Sequence, residues 1–135
     1  MKVMVSGCFD LLHSGHMQFL ERASKYGELY VVIGSDDTIF KKKKRKTAIP
    51  QDERKYMVSM IKGVHKVFIG KGTGVCDFKE EAKEVKPDIY ISNFDSHVTQ
   101  EKIDLLEELG ITFMVFNRTS DFTLRSTTKR MEEKW

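Results

Sequence analysis

The chain has 135 residues, 40% of them apolar and 32% charged, with a formal net charge of +3. That length suits one domain spanning residues 1–135, no stretch approaches the ~20 apolar residues of a membrane span, and so modest a charge does not by itself require a nucleic-acid partner. Two cysteines, Cys8 and Cys76, make neither a disulfide framework nor a four-ligand zinc site, so both read as reduced thiols of a cytoplasmic protein.

Taken in order, apolar runs alternate with helical patterns. Val3 to Ser6 is the first expected strand, too short to be the apolar core of a signal peptide. A helix follows from about Gly15 to Tyr26, with Met17, Leu20 and Ala23 on one face and Gly27 as its stop. Leu29 to Gly34 is a continuous apolar run, as a parallel strand covered on both faces requires. The six cations Lys41 to Lys46 repel one another and read as a solvated loop. The next helix begins after Pro50, capped near Gln51 or Asp52, with Tyr56, Met57, Met60 and Ile61 as its apolar stripe. Lys66 to Gly70 is the third strand, and a helix from about Asp77 to Val85 ends before Pro87. Asp88 to Ser92 is the fourth strand. The helix Thr99 to Leu109 turns Ile103, Leu106 and Leu109 inward and stops at Gly110; Ile111 to Phe116 is the fifth strand, and a last helix starts near Ser126. The alternation predicts an α/β fold, a Rossmann-like doubly wound sheet of about five parallel strands in a single domain. Ligands of such sheets bind beyond the carboxyl ends of the strands, where the strand order reverses.

Residues 6–18 occupy that place. Gly7-Cys8-Phe9-Asp10 and His13-Ser14-Gly15-His16 lie where the first strand gives way to a helix. A glycine turn and a helix N-terminus present outward N–H groups to an anion, and imidazoles add further donors. Side chains three apart share a helical face, so His13 and His16 can face one phosphate. A polar turn whose histidines cap the helix is the bland alternative. Zinc lacks a third ligand.

Four other segments bear on the chemistry. The Lys41 to Lys46 run resembles a nucleic-acid patch, but it has no interleaved aromatics. Arg125-Ser126-Thr127-Thr128 reads first as a helix cap. Gly70-Lys71-Gly72-Thr73-Gly74 lacks the spacing of a P-loop and reads as a turn lining the acceptor side. Ser92-Asn93-Phe94-Asp95 follows the fourth strand.

The Gly-x-Phe-Asp and His-x-Gly-His segments resemble the nucleotidyltransferases of the cytidylyltransferase type, with Cys8 at the variable place. The basic run followed by Pro50 and Arg54, and Arg125 to Thr128, resemble further family segments in the right order. The resemblance implies attack of an acceptor phosphate on the α-phosphorus of a nucleoside triphosphate, with pyrophosphate leaving and Mg²⁺ bridging the phosphates. No protein metal ligand is assigned; Asp10 is the nearest carboxylate, and bracing the loop is its other possible role. His13 and His16 would then contact the α- and β-phosphates, and Lys44 or Lys46 would close over them. Gly7, Cys8, Phe9, Asp10, Gly15, Asn93, Asp95, Arg125, Ser126 and Thr127 would bind the nucleotide. Whether Arg118 or Arg125 faces it stays open.

Phe94 stands where cytidylyltransferases carry an acid, and no tryptophan follows. An aromatic followed by Asp resembles single-domain FAD synthases, and Arg-Ser-Thr-Thr resembles the adenylyltransferase domain that makes ADP-heptose. Both imply ATP rather than CTP; a glycerol-3-phosphate-type cytidylyltransferase is the alternative. The acceptor is a phosphorylated small molecule: FMN, a sugar phosphate or a polyol phosphate. Neither a nucleic acid nor a membrane is expected as a partner, and a homodimer is. A nucleotide-binding module without catalysis, or a nucleic-acid binder using the lysine run, are the rivals from other classes.

Overall fold

A computed structural model describes residues 1–72, 74–94 and 98–117. Five strands, β1 (Lys2–Gly7), β2 (Glu28–Ile33), β3 (Val64–Ile69), β4 (Ile89–Ser92) and β5 (Thr112–Val115), pair in the order β3-β2-β1-β4-β5, all parallel. The chain runs outward from β1 through β2 to β3, then crosses back to β4 on the other side of β1. The order therefore reverses between β1 and β4. Among the described residues five helices connect the strands: α1 (Ser14–Ser24), α2 (Asp36–Lys43), α3 (Gln51–Ser59), α4 (Lys79–Val85) and α5 (Gln100–Glu108).

Alternation along the strands sends side chains to two separate cores. Val3, Val5, Val31, Ile33 and Ile91 pack with Phe19, Leu20 and Ala23 of α1 and Val58 of α3. Met4, Tyr30, Val32 and Tyr90 pack with Phe78, Ala82 and Val85 around α4 and with Leu105 and Leu106 of α5. The head of α1 thus lies on one face of β1, and the heads of α4 and α5 on the other. Each fully buried Leu or Val contributes about 1.5–3 kcal/mol, so both cores hold the carboxyl edge firmly.

Several expectations need correction. The lysine run is not wholly a loop: Lys41, Lys42 and Lys43 close α2, and Lys44 is its left-handed C-cap at φ 57°. Favourable ends outweigh the repulsion. Ser35 Oγ accepts from the Thr38 amide at 3.1 Å, Asp36 and Asp37 sit in the first turn, and the lysines in the last turn face the negative end of the helix dipole. The stripe expected on α3 is wrong in part: Ile61 packs against the core and Met57 is half-buried, but Tyr56 and Met60 are exposed and the helix buries Arg54 and Val58. Met17 is exposed on α1, and α5 buries Leu105 beside Leu106. Helix α1 ends at Lys25, and Gly27 serves a different purpose: a Cβ there would overlap the Met1 carbonyl oxygen. Gly110, at φ 71°, does follow the α5 C-cap as expected. The helix expected near Ser126 lies outside the described residues.

Candidate active site

At the end of β1 the backbone turns through Phe9, a non-glycine residue in the left-handed region at φ 49°. Such a conformation costs about 1–2 kcal/mol and persists only where the surroundings impose it. Burial imposes it here, since Phe9 is 5% exposed and its ring meets His16 edge-on at 5.4 Å between centroids. Gly7 leaves room for that ring, because a Cβ there would come within 2.9 Å of it.

His13 is the N-cap of α1 and forms a reciprocal box with His16. Gly15 N–H donates to His13 Nδ1 at 3.0 Å, and His13 N–H donates to His16 Nδ1 at 3.2 Å. Both Nδ1 atoms are acceptors, so the ring proton of each neutral imidazole sits on Nε2. The rings stack at 3.9 Å. Gly15 permits this too, since a Cβ there would lie 2.8 Å from His13 Cε1. Burial, and then the neighbouring His13, lower the pKa of His16 to about 4. At neutral pH His16 is therefore an uncharged donor through Nε2–H. The cap and the donor role expected of the histidines are compatible, because they use different ring nitrogens.

Asp10 is 7% exposed and clasps the segment after α2. Its Oδ1 accepts from the Ile49 amide at 2.9 Å, and its Oδ2 accepts from the Ala48 amide and from Arg45, each at 3.0 Å. Burial pushes its pKa up, but the Ala48 and Ile49 amides and Arg45 outweigh it, so the carboxyl titrates below its usual range. Lys44 and Lys46 belong to this clasped segment and are exposed. The Lys46 carbonyl accepts from Arg45 at 3.2 Å.

Beneath the clasp lies Arg54, 1% exposed. It donates to the carbonyls of Ile49 and Cys8 at 2.8 Å and of Gly34 at 2.7 Å, and to Asp36 Oδ1 at 2.7 Å. One buried guanidinium thus ties the exits of β1 and β2 to the starts of α2 and α3. Burial raises the Asp36 pKa, and Arg54, the Gln51 amide and Thr47 more than offset it. The sequence reading singled out Arg54 only by resemblance; its one local sign is an arginine where an apolar stripe should contact the sheet.

The structure brings Gly7, Cys8, Phe9, Asp10, His13, Gly15 and His16 together at the carboxyl end of β1. Asn93 follows β4, across the point of strand reversal, and its Oδ1 accepts from the Phe94 amide at 3.0 Å. Asp95, Arg118, Arg125, Ser126 and Thr127 lie outside the described residues. Cys8 and Cys76 are both free thiols. Among the described residues no group of three or more His, Cys, Asp or Glu could hold a metal ion, and no helix is long and apolar enough to cross a membrane.

Residues 4–133 match the sequence model of the family described as Cytidylyltransferase-like. A FAD synthase of Methanohalobium evestigatum is 38% identical over 132 residues, covering 95% of this chain and 85% of its own. A FAD synthase of Methanocella paludicola is 34% identical over 136 residues, covering 98% and 94%. Among solved structures, a lipopolysaccharide core biosynthesis protein from Thermoplasma volcanium superposes with a TM-score of 0.75 at 28% identity, covering 89% of this chain and 98% of that one.

Proposed function

The chain belongs to the cytidylyltransferase-like family of nucleotidyltransferases, and from that premise we propose that it joins AMP from ATP to the phosphate of FMN, giving FAD and pyrophosphate. The observation that carries the chemistry is the stacked pair His13 and His16, whose backbone bonds engage both Nδ1 atoms beside a helix N-terminus and so leave the ring N–H of each on Nε2. The archaeal FAD synthases supply the acceptor.

An FMN phosphate oxygen attacks the α-phosphorus of ATP. The bond from that phosphorus to the oxygen bridging to the β-phosphate breaks, and pyrophosphate carries the electron pair away. Little covalent help is needed, so alignment and charge stabilisation do the catalysis. His13 and His16 donate to the α- and β-phosphate oxygens as charge grows there. A neutral His16 keeps its Nε2–H throughout the neutral range and donates as an uncharged group, with no charge to strip of water. Lys44 and Lys46, held near by the Asp10 clasp, cover the phosphates. Gly7, Cys8, Phe9 and Gly15 shape the backbone cradle, and Asn93, Asp95, Arg125, Ser126 and Thr127 complete the nucleotide contacts.

Mg²⁺ fits as an ion carried by the triphosphate rather than by the protein, since both Asp10 oxygens are already engaged by three donors. When bound, it offsets charge on the phosphoryl oxygens. We further place the enzyme in the cytoplasm as a homodimer, which sedimentation would test.

The test is to incubate the protein with Mg²⁺, FMN and each nucleoside triphosphate, and to follow FAD by chromatography and pyrophosphate by a coupled assay. FAD is expected with ATP only. The likeness to a lipopolysaccharide core biosynthesis protein favours a second acceptor class, a sugar phosphate. Pyrophosphate release with a sugar phosphate and none with FMN would overturn the first reading; a preference for CTP would overturn the choice of ATP.

A further inference from the structure

On the face of β1 away from the histidines, three charged side chains gather at the same edge of the sheet. Asp77, just before α4, places Oδ2 within 3.6 Å of where a Cβ on Gly34 would stand, at the end of β2. Lys102, in the first turn of α5, holds its Nζ 5.8 Å from the Phe78 ring centre and 5.7 Å from that of Tyr90. The Tyr90 hydroxyl is hydrogen-bonded to Ser6, next to the last residue of β1. Lys42 stands one turn after Thr38 on α2, whose Oγ1 donates to the Gly72 carbonyl at 3.1 Å, and a Cβ on Gly72 would lie 3.3 Å from Asp77 Cα, so the Lys42 charge bears on both Asp77 and Lys102. Burial raises the Asp77 carboxyl to about 6, while Lys42 and Lys102 hold it back and Glu81 adds to the rise. Burial and then Lys42 lower the Lys102 ammonium. Two cations that repel each other lie beside a partly desolvated carboxylate, Asp77, with the buried Glu81 next to it. The histidine site uses none of these groups.

In-line displacement sets the nucleophile and the leaving group on opposite sides of the phosphorus. With the triphosphate at the head of α1, on one face of β1, the attacking phosphate arrives from the other face, over the β1–β4 junction. We propose that Lys42 and Lys102 together bind the phosphomonoester dianion of the acceptor, with Asp77 as the positioning residue that holds both ammonium groups toward it. A phosphomonoester carries close to two negative charges at neutral pH and relieves the repulsion between the lysines. The inference rests on the transferase reading but not on FMN being the acceptor.

The probe is phenyl phosphate, a minimal phosphomonoester, titrated without ATP and followed by its phosphorus resonance. Lys42→Met and Lys102→Met should each weaken binding by about tenfold or more, the usual loss for one charge-assisted hydrogen bond. Lys102→Arg should restore most of it, and Lys55→Met, on the exposed side of α3, should leave it unchanged. Equal affinity across these variants, or no binding by the unaltered protein, overturns the proposal. Lys42 is exposed, so its variant decides the matter should Lys102→Met fail to fold. In turnover, the same two variants should raise KM for the acceptor and leave KM for ATP within about twofold. Lysine-dependent phenyl phosphate binding without conversion of FMN would retain the subsite and refute FMN as acceptor.

Discussion

The two flanks of β1 carry opposite chemistry and are assembled in opposite ways. On the histidine flank the polar bonds are local: His13 reaches Gly15, and His16 reaches back to His13. Its donors are imidazoles, and His16 is kept uncharged by burial. On the lysine flank the groups come from α2, α4, α5 and β4, and their charges act at longer range. The first flank is a self-contained piece of chain, whereas the second exists only once the sheet has formed. A donor that must lie at hydrogen-bond distance from a reacting oxygen gains from local rigidity. A pair of cations that attracts a dianion tolerates looser construction.

Arg54 is common to both flanks and offers the largest disturbance. Arg54→Met would strand the Cys8, Gly34 and Ile49 carbonyls and the Asp36 carboxylate. Each buried acceptor left without its donor costs about 1–3 kcal/mol, so several together should cost about 3–5 kcal/mol, measurable as a lower midpoint in urea unfolding. Loss of less than about 1 kcal/mol would mean that the flanks do not depend on this joint.

His16→Asn separates the flanks. Asn Oδ1 can replace Nδ1 as acceptor of the His13 amide, so the cap survives while the Nε2–H donor is lost. Turnover should fall about 10²–10³-fold, as for removal of one preorganised donor, with phenyl phosphate binding unchanged. Unchanged turnover would remove His16 from the mechanism. Gly15→Ala is milder: its Cβ would lie 2.8 Å from His13 Cε1, so the ring must shift. Turnover should fall by about tenfold with little change in melting temperature, because alanine is the better helix former.

The smallest effect is in pH. His16 has a native pKa of about 4 against a reference of 6.5, so its contribution to stability is full above pH 6.5 and is lost as pH falls toward 4. Asp77 runs the other way. Its native value of about 6 exceeds the reference 3.8, so its contribution is full below pH 3.8 and is lost as pH rises through 6. Between pH 4 and 6.5 the two oppose each other. Relative to the parent, His16→Asn should gain stability as pH falls through this window, and Asp77→Asn should lose it. Parallel profiles in urea titrations would show that the flanks do not titrate independently.

The same contrast explains what was legible in the sequence. The strands, α1 and α5 follow from apolar runs and end signals that act over a few residues. The histidine motif is equally local, and its spacing alone brings the rings together. Helix α2 was missed because the repulsion among its lysines is obvious, whereas the cap at Ser35 and the 3.1 Å pair between Asp37 and Lys41 are not. Arg54 was obscured because all its partners but Ile49 lie on two turns distant in sequence, at Cys8 and at Gly34 to Asp36. Lys102 and Asp77 gave no signal, since each looks like an ordinary surface charge until the crossover to β4 and β5 brings them to one edge.

The clasp at Asp10 has a consequence for the lysine run. Its grip falls on the Arg45 side chain within the run and on the amides of Ala48 and Ile49 just after it. Sliding the run by one residue would put another lysine in nearly every position, so the charge presented to a ligand would scarcely change. Such a stretch is insensitive to its own spelling. Evolutionary drift can exchange, gain or drop a lysine at the other positions at little expense, provided that Lys42, Arg45 and the two gripped amides keep their place.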